Sequence, residues 1–240
     1  MRLDELQDNW NRLGQSDPMW AVLTDPSKKG GKWDAAEFFR TGEDQIAGLM
    51  ARLGDLGIAV GRQTALDFGC GLGRLTQALA GRFEEVHGVD IAPSMIEQAR
   101  SFSRFRDRCR YHINPRADLA LFEDGKFDFV CSFIVLQHIP PDYVSGYLHE
   151  FARILKPGGV AVFQLIEPNF LRGLIPQSLV NGFRKLKHRG RSYIPAFGLP
   201  RRRIGQVLAT AELRTERLTR TRIVGHLWNN LEYIVSKPPR

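Results

Sequence analysis

Asp67-Phe68-Gly69-Cys70-Gly71-Leu72-Gly73 sets three glycines at alternate positions behind a carboxylate. Glycine tolerates the positive φ of a tight turn. It also lets the main chain come close to a ligand, with the following helix N-terminus turned to the ligand's negative group. Asp90 ends the next apolar run. An acid there can accept two hydrogen bonds from a ribose diol. Asp67 has two readings: it binds an ammonium group, or it holds the loop through main-chain N–H groups. Gln137-His138 follows the apolar run 127–135. An imidazole titrates near neutrality and can take a proton as a general base; its other reading is a cap or a loop fastener. Ser132 would bring a hydroxyl to the same end of the sheet.

These groups need elements to carry them. Thr64–Phe68, Glu85–Val89, a short stretch at Arg110–Ile113, Phe127–Val135 and Val160–Ile166 read as strands, the fourth apolar enough for burial on both faces. Helical spacing separates them: Leu75, Leu79 and Phe83; then a helix with Ser94 and Glu97 as a capping box; then Val144 to Leu155. Pro157-Gly158-Gly159 ends the last. Strands alternating with helices mean βαβ units and a parallel sheet. A helix at 200–212 and strands at 213–219 and 229–235 would close it. Ahead of the first strand, Leu3, Leu6, Trp10 and Leu13 form a stripe closed by Gly14. Residues 16–32 read as loop, and Trp33 to Leu53 as a helix interrupted at Gly42.

The chain has 240 residues, 43% of them hydrophobic and 25% charged. This is a globular composition, which excludes disorder as the main state. At this length one domain with a small appendage is expected. Cys70, Cys109 and Cys131 cannot all pair and form no C-x-x-C, so neither a disulfide scaffold nor a zinc ribbon is expected, and free thiols suit a cytoplasmic protein. The amphipathic, acidic N-terminus is not a secretory signal, and no apolar run is long enough for a membrane span. The net charge is +8. Eight basic residues and no acidic one fall between Arg184 and Arg203: Arg184, Lys185, Lys187, Arg189, Arg191, Arg201, Arg202 and Arg203. That stretch equals the whole net charge and reads as a solvated loop or as a docking patch for an anion.

L-D-F-G-C-G-L-G-R, followed by V-H-G-V-D-I-A-P-S-M-I-E-Q-A-R, resembles the first two motifs of the class I S-adenosylmethionine-dependent methyltransferases. F-D-F-V-C-S-F-I-V-L-Q-H-I and L-K-P-G-G-V-A-V-F resemble that family's fourth strand and the turn before its fifth. The resemblance covers about residues 60–166. It implies an α/β, Rossmann-like, seven-stranded, mostly parallel sheet with helices on both faces, the last strand antiparallel and a helical N-terminal lid. Residues 1–60 would be the lid segment and 61–240 the cofactor-binding domain, with a basic insertion at about 167–200. The implied cofactor is S-adenosylmethionine, leaving as S-adenosylhomocysteine. Its implied binding residues are Asp67, Gly69, Cys70, Gly71, Gly73, Arg74, Asp90, Ile91, Met95, Asp118, Leu119 and Ser132, with Asn114 the rival of Asp118 for the adenine. The loop differs from the G-x-G-x-x-G of dinucleotide binders, and Asp67 would repel a pyrophosphate while suiting an ammonium.

Methyl transfer from a sulfonium needs mainly alignment. A hydroxyl acceptor adds the need for a base, and His138 is the candidate. Gln137, Trp33, Phe39, His226 and Trp228 are candidates for the acceptor wall, and Thr41-Gly42 for the methionine carboxylate. His87, His112 and His149 are expected to be structural. The expected activity is methylation of an O or N atom of a small metabolite, with anionic and carrier-linked ones among the candidates, without a metal. An RNA-directed enzyme and a non-catalytic cofactor-binding regulator are the alternatives. No RNA-reading module is visible, so a small-molecule partner is favoured over nucleic acid or membrane.

Overall fold

The computed structural model describes residues 1–168, 193–221 and 228–239. Strands β1 (Thr64–Phe68), β2 (Glu85–Asp90), β3 (Cys109–Ile113), β4 (Phe127–Ser132), β5 (Leu155–Pro168), β6 (Arg214–Thr221) and β7 (Trp228–Ser236) form one sheet in the order β3-β2-β1-β4-β5-β7-β6. The pairs β1–β2, β1–β4, β2–β3 and β4–β5 are parallel, whereas β7 runs antiparallel to β5 and β6. The order reverses between β1 and β4, and in open α/β sheets ligands bind in the crevice at such a switch point.

Helices α1 (Leu3–Ser16), α2 (Pro18–Val22), α3 (Ala35–Asp55), α4 (Arg74–Ala80), α5 (Pro93–Phe102), α6 (Pro141–Ile154) and α7 (Arg201–Thr210) surround the sheet. Among the described residues two apolar cores flank the sheet, beside a smaller N-terminal cluster. One places Phe127, Val130 and Phe163 against α6 and α7; the other places Phe129, Cys131 and Val162 against α3 and α4. The alternating side chains of β4 and β5 thus feed opposite layers, which is why these strands carry no polar face.

Five local expectations are corrected. Pro157-Gly158-Gly159 does not separate helix from strand: α6 ends at Ile154, and β5 starts at Leu155 and runs through these residues. The loop 16–32 contains α2, which Pro18 starts at its first position. Helix α3 runs through Gly42 without a break. A Cβ there would collide with the Arg74 carbonyl, so the glycine serves the close crossing of α3 and α4. Ser94 makes no capping box: the N-cap of α5 is Ala92, and Ser94 bonds instead to Asn11 of α1. Strand β4 stops at Ser132, and the chain turns at Ile134 with φ +60°.

Candidate functional site

The C-terminal ends of β1, β2 and β4 open into a cavity of about 780 Å³, its mouth included. The glycine loop leaves β1 with φ +77° at Gly69, +51° at Gly71 and +77° at Gly73. Gly69 and Gly71 line the cavity, as do Asp90, Ile91 and Met95 from β2 and α5. A side chain at either of these glycines would meet the wall: a Cβ on Gly69 would collide with Val135, and one on Gly71 would lie 2.7 Å from Val22.

Asp90 braces the loop. One carboxylate oxygen accepts the Gly71 N–H at 2.9 Å, and the other accepts the Ala92 N–H at 2.9 Å. Burial raises its pKa, while these N–H donors oppose the rise. Asn114, at the end of β3, also lines the cavity and donates to the Asp118 carbonyl at 2.7 Å.

His138 closes the far wall, on the one-turn helix Leu136–His138 after β4. It is buried, and its Nδ1 bonds to the Pro195 carbonyl. Its Nε2 lies 3.2 Å from the Gln137 side-chain amide nitrogen, and the Trp10 ring packs on it with centroids 5.4 Å apart. Desolvation lowers its pKa to about 4, so the imidazole is neutral at pH 7.

Several expected site residues lie elsewhere. Asp67 is buried outside the cavity wall; its carboxylate accepts from Thr76 at 2.7 Å, and desolvation raises its pKa to about 6. This partner belongs to α4 and not to the main-chain N–H groups of the loop, so the loop-holding reading is not met as expected. Cys70 is buried, and desolvation and the neighbouring Asp90 and Asp67 carboxylates push its thiol up. Gly73 caps α4 and faces the Tyr111 hydroxyl, which a Cβ would approach to 2.5 Å. Arg74 is buried and bonds Thr41 and Gln45, with its pKa lowered by desolvation to about 10.

Asp118 points to the surface, paired with Arg116, so the rival Asn114 takes its place at the cavity. Leu119 belongs to the core, its N–H donated to Glu150. Ser132 is fully buried with an unpartnered hydroxyl, and Phe133 lines the cavity in its stead. Trp33 and Phe39 pack in the N-terminal apolar cluster, Phe39 edge-on to Phe38, and neither reaches the cavity. Gln137 flanks the wall, through His138. His226 and the Trp228 side chain lie outside the described residues.

The sequence reading makes residues 1–60 a lid but names Trp33 and Phe39 from it, not the side chains that line the cavity. Leu3, Leu6 and Trp10 of α1 and Ala21 and Val22 of α2 line the cavity. The Leu3, Leu6, Trp10 stripe was legible, but a stripe alone does not say which surface it covers. Ile134, Val135, Ile139 and Tyr147 complete a largely apolar wall.

Residues 66–163 match the model of a methyltransferase domain family. This stretch carries the glycine loop, Asp90 and His138. A ubiquinone biosynthesis O-methyltransferase of Hydrogenovibrio crunogenus is 30% identical over 113 residues, 47% of this chain and 46% of the relative. One from Thiobacillus denitrificans is 28% identical over 188 residues, 78% of this chain and 79% of the relative. The chain thus spans less than half the length of the first of these. Among solved structures, magnesium protoporphyrin IX methyltransferase from Synechocystis with bound S-adenosylhomocysteine aligns over 98% of this chain and 99% of its own, at 20% identity and a TM-score of 0.64. Geranyl diphosphate C-methyltransferase from Streptomyces coelicolor aligns over 98% and 97%, at 17% identity and a TM-score of 0.64. These two share the fold. The stretch 66–163, with its glycine loop and its acid after the second strand, is thus similar to methyltransferase domains, and the chain shares the fold of these solved structures.

Proposed function

We propose that the protein methylates a hydroxyl oxygen on a small, largely apolar molecule, using S-adenosylmethionine. The observation that carries this reading is one cavity holding both the glycine loop with Asp90 and the neutral imidazole of His138. The residues present fit the cofactor. Gly69 and Gly71 leave room for close main-chain approach, Asp90 offers carboxylate oxygens to ribose hydroxyls, and Asn114 offers an amide to the adenine edge. When bound, S-adenosylmethionine supplies an activated methyl group for in-line displacement.

The chain's own residues then align and deprotonate the acceptor. Trp10, Phe133, Ile134 and Val135 give a wall that excludes water. His138 takes the hydroxyl proton at Nε2 once the acceptor hydroxyl displaces the Gln137 amide that donates to it at 3.2 Å. Its low pKa keeps that nitrogen unprotonated but makes it a weak base, which suits a phenolic hydroxyl better than an alcohol. The names of the relatives support oxygen as the acceptor atom. Arg201–Arg203 are exposed and follow directly on the segment that bonds His138, so an anionic group on the acceptor would be met there. Residues 1–60 act as the lid over the cofactor end.

The test is methyl transfer from S-adenosylmethionine to catechol and to protocatechuate, followed by mass spectrometry. The wild-type protein should methylate both, protocatechuate at the lower KM. His138→Ala should lose about a hundredfold or more in kcat, the range of a lost general base, while still binding S-adenosylhomocysteine. A His138→Ala enzyme with unchanged turnover would remove the base from the mechanism.

A further inference from the structure

The segment 193–199 passes over the cavity end. Phe197 N–H donates to the Gln137 carbonyl at 2.7 Å, and Leu199 N–H donates to the Ile166 carbonyl at 2.9 Å. Between them and α1, Pro195 presents its carbonyl to His138 Nδ1. The segment's leading end is tied to α1 through Asn9, which is only 3% exposed. Asn9 Nδ2 donates to the Tyr193 carbonyl at 2.8 Å, and the Tyr193 N–H donates to Asn9 Oδ1 at 3.1 Å. A carboxamide carries the donor and acceptor this two-way bond needs; Asp lacks the donor, and Ala lacks both.

Helix α1 is fixed on its opposite flank to the cofactor end. Gln7 Nε2 donates to the Ile91 carbonyl at 2.8 Å, and the Ser94 N–H donates to Asn11 Oδ1 at 2.9 Å. The helix therefore links the end of β2 to the segment that holds His138. Two neighbours of the imidazole select the same tautomer. A carbonyl on Nδ1 can only accept, so Nδ1 carries the proton. The Gln137 amide N–H₂ beside Nε2 can only donate, so Nε2 is bare.

We propose that Asn9 is a positioning residue for methyl transfer: by pinning Tyr193 to α1, it holds the Pro195 carbonyl on His138 Nδ1 and keeps Nε2 as the unprotonated nitrogen, available to the acceptor when its hydroxyl displaces the Gln137 amide. This rests on His138 as the base. Asn9 touches neither acceptor nor cofactor; it acts through the 193–199 segment. Loss of its bond frees Pro195 to drift, and the imidazole then samples both tautomers and other rotamers.

The experiment combines nitrogen-15 spectroscopy of the histidine rings with kinetics on catechol. In the wild-type protein His138 should show a protonated Nδ1 and a bare Nε2. Asn9→Ala should show mixed tautomers and about a tenfold or greater fall in kcat, with S-adenosylhomocysteine affinity changed less than about threefold, because small misplacements near the chemistry are costly. Asn9→Asp, which keeps the acceptor oxygen for the Tyr193 N–H, should fall between the two. Wild-type kcat with a single Nδ1–H signal in Asn9→Ala overturns the proposal. If Asn9→Ala does not fold, hydrogen exchange of the wild-type protein decides. The Tyr193 amide must then be as protected as the amides of α1, and free exchange at Tyr193 overturns the proposal. Failure of the wild type to bind S-adenosylhomocysteine, or indifference of turnover to His138→Ala, breaks the methyltransferase reading instead, with the tautomer result still standing by itself.

Discussion

Single ionisable groups at the site pull stability in opposite directions. The pKa of His138 falls from 6.5 to about 4 in the folded protein, because burial penalises the cation. The neutral ring is favoured by folding, so its contribution is complete above pH 6.5 and is lost as pH falls toward 4. Asp67 behaves in the contrary sense. Its pKa rises from 3.8 to about 6, so folding carries a penalty at neutral pH that fades on acidification. Wild-type stability against pH therefore mixes the two, and a variant comparison separates them. Between pH 7.5 and 5 the unfolding free energy of the wild type should fall relative to that of His138→Gln by roughly 2 kcal/mol. Urea titrations at both pH values check this, and parallel curves for the two proteins would mean that His138 is not buried in its neutral form. Asp67 was readable as a carboxylate near a glycine loop. That it faces Thr76 depends on where α4 lies, which spacing alone does not give.

Elements were more legible than side-chain directions. The βα alternation and the apolar start of β4 are local patterns that yield elements where they are observed, whereas Pro157-Gly158-Gly159, read as a break, lies inside β5. The end of β4 was not legible, because Phe133-Ile134-Val135 is as apolar as the strand before it. Its turn rests on Ile134 in the left-handed region, φ +60°, where a β-branched residue is strained. The strain puts Phe133 and Val135 on the cavity wall. Ile134→Gly removes an apolar side chain but also the strain, which is of order 1–3 kcal/mol. Its stability should therefore stay within about 1 kcal/mol of wild type, while turnover of catechol falls as the turn loosens. A loss of 2–5 kcal/mol, the ordinary cost of emptying an apolar site, would show that the turn stores no strain.

At the scale of the whole molecule, the sheet brings residues far apart in sequence to one crevice. The glycine loop, Asp90 and His138 could be picked out because each sits where a strand gives way to a turn. Residues 1–60 were expected to form a lid, but the surface that the α1 stripe covers was not legible, and the structure lays Leu3, Leu6 and Trp10 on the cavity. The basic stretch is divided: Arg184, Lys185, Lys187, Arg189 and Arg191 lie outside the described residues, while Arg201–Arg203 open α7. Cations in a first helical turn oppose the helix dipole, so the fold itself gains nothing from them there. The account as a whole stands on the crevice being a nucleoside-cofactor site braced by Asp90. Isothermal titration with S-adenosylhomocysteine tests this most directly. The account predicts one site per chain with micromolar affinity, weakened roughly tenfold to a hundredfold in Asp90→Ala, the worth of hydrogen bonds to a charged group. Folded wild-type protein that binds neither S-adenosylhomocysteine nor S-adenosylmethionine, or an Asp90→Ala variant that binds as tightly as wild type, would contradict it.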